Sequence, residues 1–175
     1  RRHRERGHRL RDQVLRDAYL FPAATNFSID RADLHYRGNG LFASEIDEMP
    51  GGFAELVHVD RVYGINQDRW TRCFDWLFSQ GPVLFLVSSD WSRVYFPETE
   101  WLVEYLSHQG YQAHFLPTDQ LHELEVRPNG VWYKNNRLGT IWRQFPVFET
   151  TGKLKDLVIA AKEGAVRLVP EFAHF

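Results

Sequence analysis

Residues 81–90 read GPVLFLVSSD, and this stretch decides the fold. Val83 to Val87 form a continuous apolar run of strand length, the pattern of a strand covered on both faces in a parallel sheet. Gly81-Pro82 breaks the chain before it, and Ser88-Ser89-Asp90 ends it. Working outward, Pro97 opens a predicted helix through His108, with Trp101, Leu102, Tyr105 and Leu106 on one stripe and Gly110 as its stop. Tyr111 to Leu116 reads as a second strand, which completes a βαβ unit. Val126 to Tyr133 and Arg137 to Trp142 read as a hairpin turned at Asn135-Asn136. Lys153 to Lys162 reads as a helix ended by Gly164, and Ala165 to Val169 as a further strand.

Upstream, Gln67 to Phe78 fits a helix with an aromatic face, whereas the period from Ala54 onward is mixed. Residues 5–19 carry Leu10, Val14, Leu15 and Ala18 at helical spacing, closed by Pro22. The expected organisation is a helix plus hairpin over 1–53, a connecting helical segment over 54–80, and a Rossmann-like α/β domain over 81–175. The start without Met and the end after a strand-like run read as a piece of something longer.

At 175 residues, with 43% apolar and 15% aromatic content, the chain reads as globular. A net charge of −2 gives no whole-chain reason to expect nucleic acid or an anionic membrane. The seven arginines between Arg1 and Arg16 fit a solvated helix face, since no aromatic interleaving follows. Cys73 is the single cysteine, so no disulfide framework exists, and a reducing, cytoplasmic setting is the simplest inference. Its neighbours Trp70, Phe74 and Trp76 suggest a buried thiol. No signal peptide or membrane-length apolar run is present.

The stretch ADLHYRGNGLFASEIDEMPGG, residues 32–52, concentrates acids in a short hairpin. Pairing about Asn39 puts Ala32, Leu34, Tyr36, Phe42 and Ile46 on one face. Arg31, Asp33, His35, Arg37, Glu45 and Asp47 then share the other, with Asp33 directly opposite Glu45. Facing carboxylates repel, so something must compensate. Arg31 and Arg37 on a solvated outer face are one answer, and a hard divalent cation such as Mg²⁺, which favours oxygen ligands, is the other.

The order Arg31-x-Asp33, a Gly turn, then Glu45-Ile46-Asp47-x-x-Pro50-Gly51 resembles the metal-binding end of ATP-grasp ligases. D-alanine–D-alanine ligases carry a similar Arg-x-Asp and Glu-x-Asn-x-x-Pro-Gly layout, and the likeness spans roughly residues 29–53. It implies that Asp33, Glu45 and Asp47 hold magnesium ions bridging ATP phosphates. It also implies that Arg31 and the backbone at Gly51 and Gly52 face the acyl-phosphate. Asp47 departs from the family's usual Asn and adds a negative charge. A hairpin that precedes the Rossmann-like part resembles the permuted ATP-grasp proteins grouped with glutathionylspermidine synthase. Residues 138–170 match a linking segment of those proteins more weakly, which implies that Arg143 approaches nucleotide or substrate. The resemblance thus implies a Rossmann-like pre-ATP-grasp domain joined to a piece of an ATP-grasp fold.

Ser88, Ser89 and Asp90 sit where open α/β sheets bind ligands, at the carboxyl edge of a strand, and loop solvation with helix capping explains them equally well. No Gly-x-Gly-x-x-Gly follows the strand, so a dinucleotide cofactor is not expected. The histidines lack zinc-ligand spacing with cysteine, and no Gly-x-Ser-x-Gly elbow is present. An ATP-grasp ligase also needs phosphate-binding lysines and a glycine-rich lid. The chain has four lysines, three of them within 153–162, so the nucleotide-clamping lobe is expected elsewhere in the same chain or in a partner. The leading expectation is therefore a fragment of an ATP- and Mg²⁺-dependent ligase joining a small carboxylate to an amine, inactive alone. A non-catalytic Rossmann-like binding module and a divalent-metal nuclease are the alternatives, although Asp47 replaces the Lys a nuclease hairpin would need.

Overall fold

The computed structural model describes residues 31–37, 40–47, 51–146, 149–150 and 152–170, and of 31–47 the backbone alone. The predicted helix over 5–19, the arginine cluster and the tip residues Gly38 and Asn39 lie outside that description. Strands β1 (Arg31–Arg37) and β2 (Gly40–Asp47) form an antiparallel pair. Two helices follow, α1 (Phe53–Tyr63) and α2 (Gln67–Leu77).

A parallel sheet then forms the centre of a mixed α/β fold. Its strands are β3 (Val83–Val87), β4 (Ala113–Pro117), β8 (Thr140–Gln144) and β9 (Arg167–Val169), in the order β4-β3-β8-β9. Helix α3 (Phe96–His108) links β3 to β4, and α4 (Gly152–Lys162) links β8 to β9. Between β4 and β8 the chain makes a three-stranded antiparallel sheet, β5 (Leu124–Arg127), β6 (Gly130–Tyr133) and β7 (Asn136–Arg137).

The run at 83–87 is apolar throughout because both faces of β3 are covered, and all five residues are buried. Val83 and Phe85 pack with Phe74 and Leu77 of α2, Leu102 and Leu106 of α3, and Ala54 and Val57 of α1. Leu84 and Leu86 point the other way, into a core with Leu154 and Leu157 of α4 and Val131 and Tyr133 of β6. The alternation of a strand thus feeds two cores from one uninterrupted run. Residues 53–77 share the first of these cores with the sheet.

Two readings of the sequence need correction. Residues 126–133 are not one strand: Arg127 pairs with Gly130 across Pro128-Asn129, which splits the run into β5 and β6. Nor do 137–142 form its hairpin partner. The turn lies at Lys134-Asn135, both with positive φ (47° and 65°), as a two-residue turn matching strand twist requires. Only Asn136 and Arg137 continue the ladder. Gly139 and Thr140 then donate backbone N–H groups to the Pro82 carbonyl, drawing β8 into the parallel sheet beside β3. Gly139 is what allows that approach, because a Cβ there would stand 2.2 Å from the Gln80 carbonyl oxygen.

The mixed period after Ala54 also has a physical cause. Helix α1 buries Ala54 and Val57 but leaves Leu56, Val59, Val62 and Tyr63 exposed, so apolar residues surround it and no single stripe emerges. Among the described residues no helix is long and apolar enough to cross a membrane.

Candidate functional site

The hairpin ladder pairs Arg31 with Asp47, Ala32 with Ile46 and Asp33 with Glu45. Over these positions the register is the one expected from the hydrophobic pattern. It then slips by one, so that Leu34 pairs with Ala43, Tyr36 with Leu41 and Arg37 with Gly40. Ser44 is the additional residue, and the slip makes a bulge. Its effect on patterning is clear. An unbroken ladder would set Leu34 opposite Ser44 and Tyr36 opposite Phe42. The slip instead sets Ala32, Leu34 and Tyr36 opposite Ile46, Ala43 and Leu41, an apolar set throughout. Phe42 therefore leaves the apolar face assigned to it and stands opposite His35. Arg31, Asp33, Glu45 and Asp47 occupy neighbouring register positions on one face, at the end of the hairpin away from its turn.

The chain then reaches Gly51 and Gly52 at the start of α1. Gly51 is buried beneath the ring of Tyr95, where an added Cβ would lie 2.1 Å from Cζ. Gly52 takes a left-handed conformation, φ 72°, and caps α1. Its N–H donates to Oε1 of Glu98, in the first turn of α3, at 2.8 Å. The next residue, Phe53, tilts against the indole of Trp142 on β8, with centroids 4.8 Å apart. The Gly-Gly loop is thereby tied to the sheet.

The sheet order carries the other half of the site. From β3 the chain moves out to β4 and then returns to the opposite side of β3 as β8. The strand order reverses between β3 and β8, and open α/β sheets place ligands outside the carboxyl ends of strands at such a reversal. Ser88 leaves β3 here, fully buried. Its N–H donates to the Gln144 carbonyl at the end of β8. Its hydroxyl donates to Glu149 Oε1 at 2.6 Å and accepts from the backbone N–H groups of Asp90 and Trp91. Ser89 joins the β3 and β4 loops: its N–H donates to Thr118 Oγ1, and its Oγ accepts the Asp119 N–H. Asp90 is exposed. Both serines therefore act as loop and turn ties within the fold.

Arg143 lies one residue before Gln144 but on the other face of β8, 1% exposed. Its Nε donates to the Pro170 carbonyl and its Nη1 to the Phe145 carbonyl. The guanidinium braces the exit of β9 against the exit of β8, and the structure does not bring it into the group formed by Gly51, Gly52 and Ser88.

Three residues of this edge had no signal in the sequence. Glu98 and Glu149 meet partners 46 and 61 residues away, beyond the reach of any local pattern. Gln144, 3% exposed, ends β8 and, with Phe53, Phe85, Glu98 and Trp142, lines a small cavity of about 10 Å³. A larger open depression of about 340 Å³ lies at the start of α2, lined by Gly64, Asn66, Arg69 and Arg72, and includes none of the residues expected to act.

Burial pushes the Cys73 thiol up to about 12, so it stays protonated and is no nucleophile at neutral pH. Burial also lowers His114 on β4, helped by the nearby Lys134 ammonium. Among the described residues no three His, Cys, Asp or Glu side chains gather at metal-binding distance. The side chains of Asp33, Glu45 and Asp47 lie outside that description. No family model matches the chain, and no curated protein matches it.

Proposed function

We propose that this chain is part of an ATP-dependent carboxylate–amine ligase of the ATP-grasp type, with a Rossmann-like substrate domain and a metal-binding hairpin. The single observation that carries the reading is the hairpin register. Asp33 stands opposite Glu45 and Arg31 opposite Asp47, on one face of a ladder that leads into a Gly-Gly loop at the edge of an α/β sheet. In this reading Asp33, Glu45 and Asp47 hold Mg²⁺, and Arg31 lies beside the transferred phosphoryl group. Gly51 and Gly52 present backbone to the substrate, with Ser88, Ser89 and Asp90 at the mouth of the crevice.

Such chemistry needs positive charge over phosphate oxygens and positioning more than covalent catalysis, and the bound metal would supply part of that charge. The chain's own contribution is the carboxylate set that would hold the ion and the pinned loop beside it. Lys153 and Lys155 lie exposed on α4, as does Lys134 in the β6–β7 turn, so the lysines form no clamp over a nucleotide. Turnover then requires a further lobe, and the chain alone is expected to release no ADP from MgATP.

Magnesium titration followed by limited proteolysis tests the proposal. Mg²⁺ should protect the 31–52 segment in the wild-type chain and not in Asp33→Asn. Equal cleavage with and without the ion would overturn the reading. A non-catalytic binding module in the same cytoplasmic setting is the second reading. It is favoured by Ser88, Ser89 and Arg143, whose polar groups are committed to other parts of the fold.

A further inference from the structure

We propose that the outer face of the three-stranded sheet β5–β7 binds a terminal phosphate group, held by Arg137 and Arg127 about the indole N–H of Trp132. The ladder lines these residues up. Glu125 of β5 stands opposite Trp132 of β6, and Trp132 opposite Arg137 of β7. The three form one row on the face away from Val131 and Tyr133, whose side chains are buried. Arg127, two residues further along β5, lays its guanidinium over the Trp132 ring, with Cζ 4.8 Å from the centroid.

Two independent features single out this face. The first is the indole nitrogen itself: Trp132 Nε1 is buried and has no hydrogen-bond partner. Buried polar groups are nearly always paired, and an indole nitrogen can only donate, so what it lacks is an acceptor. The second is the seat of Arg137. Gly130 is buried, and a Cβ there would stand 2.7 Å from Arg137 Nε and 3.3 Å from its Cγ. The arginine therefore lies along β6 over Gly130, which shares a face with Trp132 two residues on. Its guanidinium makes no hydrogen bond or ion pair among the described residues.

Donor count defines the ligand. Arg127 gives its Nε and Nη2 to Glu125 and keeps Nη1 unused. Glu125 thereby offsets one of the two guanidinium charges, and Arg137 leaves the face positive. Three donor groups (Arg127 Nη1, the Arg137 fork and the Trp132 N–H) call for an anion with three acceptor oxygens. A phosphate monoester offers three and carries nearly two charges, and guanidinium forks suit phosphate oxygens. A carboxylate or a phosphodiester offers only two free oxygens and one charge. Arg127 is the movable wall, since its side chain is 41% exposed and turning it off the indole opens the N–H to the anion. None of these residues belongs to the group that would act in the ligase reading.

Titration of the full chain with methyl phosphate at pH 7.5 and constant ionic strength tests the site. The readout is the Trp132 indole N–H resonance in a nitrogen-15 correlation spectrum, identified by its loss in Trp132→Phe. It should move and saturate with a Kd on the order of 1 mM, as a few charge-assisted hydrogen bonds on an exposed face allow. Arg137→Gln should weaken binding at least about tenfold, the worth of one hydrogen bond to a charged group. Arg137→Lys keeps the charge without the fork and should recover only part of that loss. Glu125→Gln frees Arg127 and should tighten binding, whereas Lys134→Gln, a neighbouring charge outside the site, should change it less than about twofold. The proposal is overturned if the indole N–H stays still up to about 50 mM ligand, or if sodium chloride moves it equally. It is also overturned if Lys134→Gln weakens binding as much as Arg137→Gln, or if dimethyl phosphate binds as tightly as methyl phosphate.

Discussion

Replacing Glu45 by Gln separates the two explanations of the acidic hairpin through the sign of its effect. In the observed register Arg31 stands opposite Asp47 and Arg37 opposite Gly40, so Asp33 and Glu45 have each other as direct cross-strand partners. Like charges directly opposite cost from a few tenths to about 1 kcal/mol. Without divalent metal, Glu45→Gln should therefore raise the opening free energy of the hairpin by up to about 1 kcal/mol. That is read from native-state hydrogen exchange at the amides of residues 32–36. With Mg²⁺ at about 100 times its Kd, the wild-type hairpin should gain about 2.7 kcal/mol and the variant much less, so their order reverses. A solvated face balanced by arginines gives a different pattern: Glu45→Gln costs up to about 1 kcal/mol at any magnesium concentration. A variant that is less stable in chelator, or one that gains as much from Mg²⁺ as wild type, would refute the cation site.

Three further outcomes are expected. Gly51→Ala drives a Cβ into the Tyr95 ring and should cost about 1–3 kcal/mol. Combining it with Tyr95→Ala should recover part of that loss, which a double-mutant cycle in urea would show. Ser88→Ala takes the side-chain acceptor from two backbone N–H groups and removes the hydroxyl that donates to Glu149. It should cost about 1–3 kcal/mol, seen as a lower midpoint in calorimetry. His114, whose folded pKa is lowered from 6.5, should make stability fall as pH drops below about 6.5. In that range the unfolded chain takes up a proton that the folded chain resists, and the loss levels off once pH is below the lowered folded value. Urea melts from pH 7.5 to 4.5 should show a shallower slope in His114→Phe.

The elements legible from sequence are those whose reason for existing is local. The run at 83–87, the stripe of α3 and the aromatic face of α2 each announce themselves within a dozen residues, and the structure places strand or helix at all three. The hairpin register was legible at its carboxylate end for the same reason, because alternating apolar and polar residues allow one alignment. The slip at Ser44 escaped because a bulge leaves the pattern intact on one strand and shifts it on the other. Helix α1 escaped because its exposed Leu56, Val59, Val62 and Tyr63 blur the stripe made by Ala54 and Val57. The assignment of 137–142 to a hairpin failed where a tertiary demand prevailed: the N–H groups of Gly139 and Thr140 are satisfied by Pro82, nearly 60 residues upstream.

The same distinction explains why the site was half visible. Ser88 and Gly51 were legible as positions, since a strand end and a Pro-Gly-Gly loop have short signatures, but their roles depend on residues that no spacing connects to them. Gly51 is fixed by Tyr95, Gly52 by Glu98, and Ser88 by Glu149. Each partner lies on a different element, so the geometry of the crevice is a property of how α1, α3 and β8 are layered. Gln144 shows the consequence. In sequence it is one polar residue ending an apolar strand, where an exposed side chain would be the ordinary expectation. In the fold Gln144 is 3% exposed and shares a small cavity with Phe53 and Ala54 at the start of α1 and with Glu98 of α3.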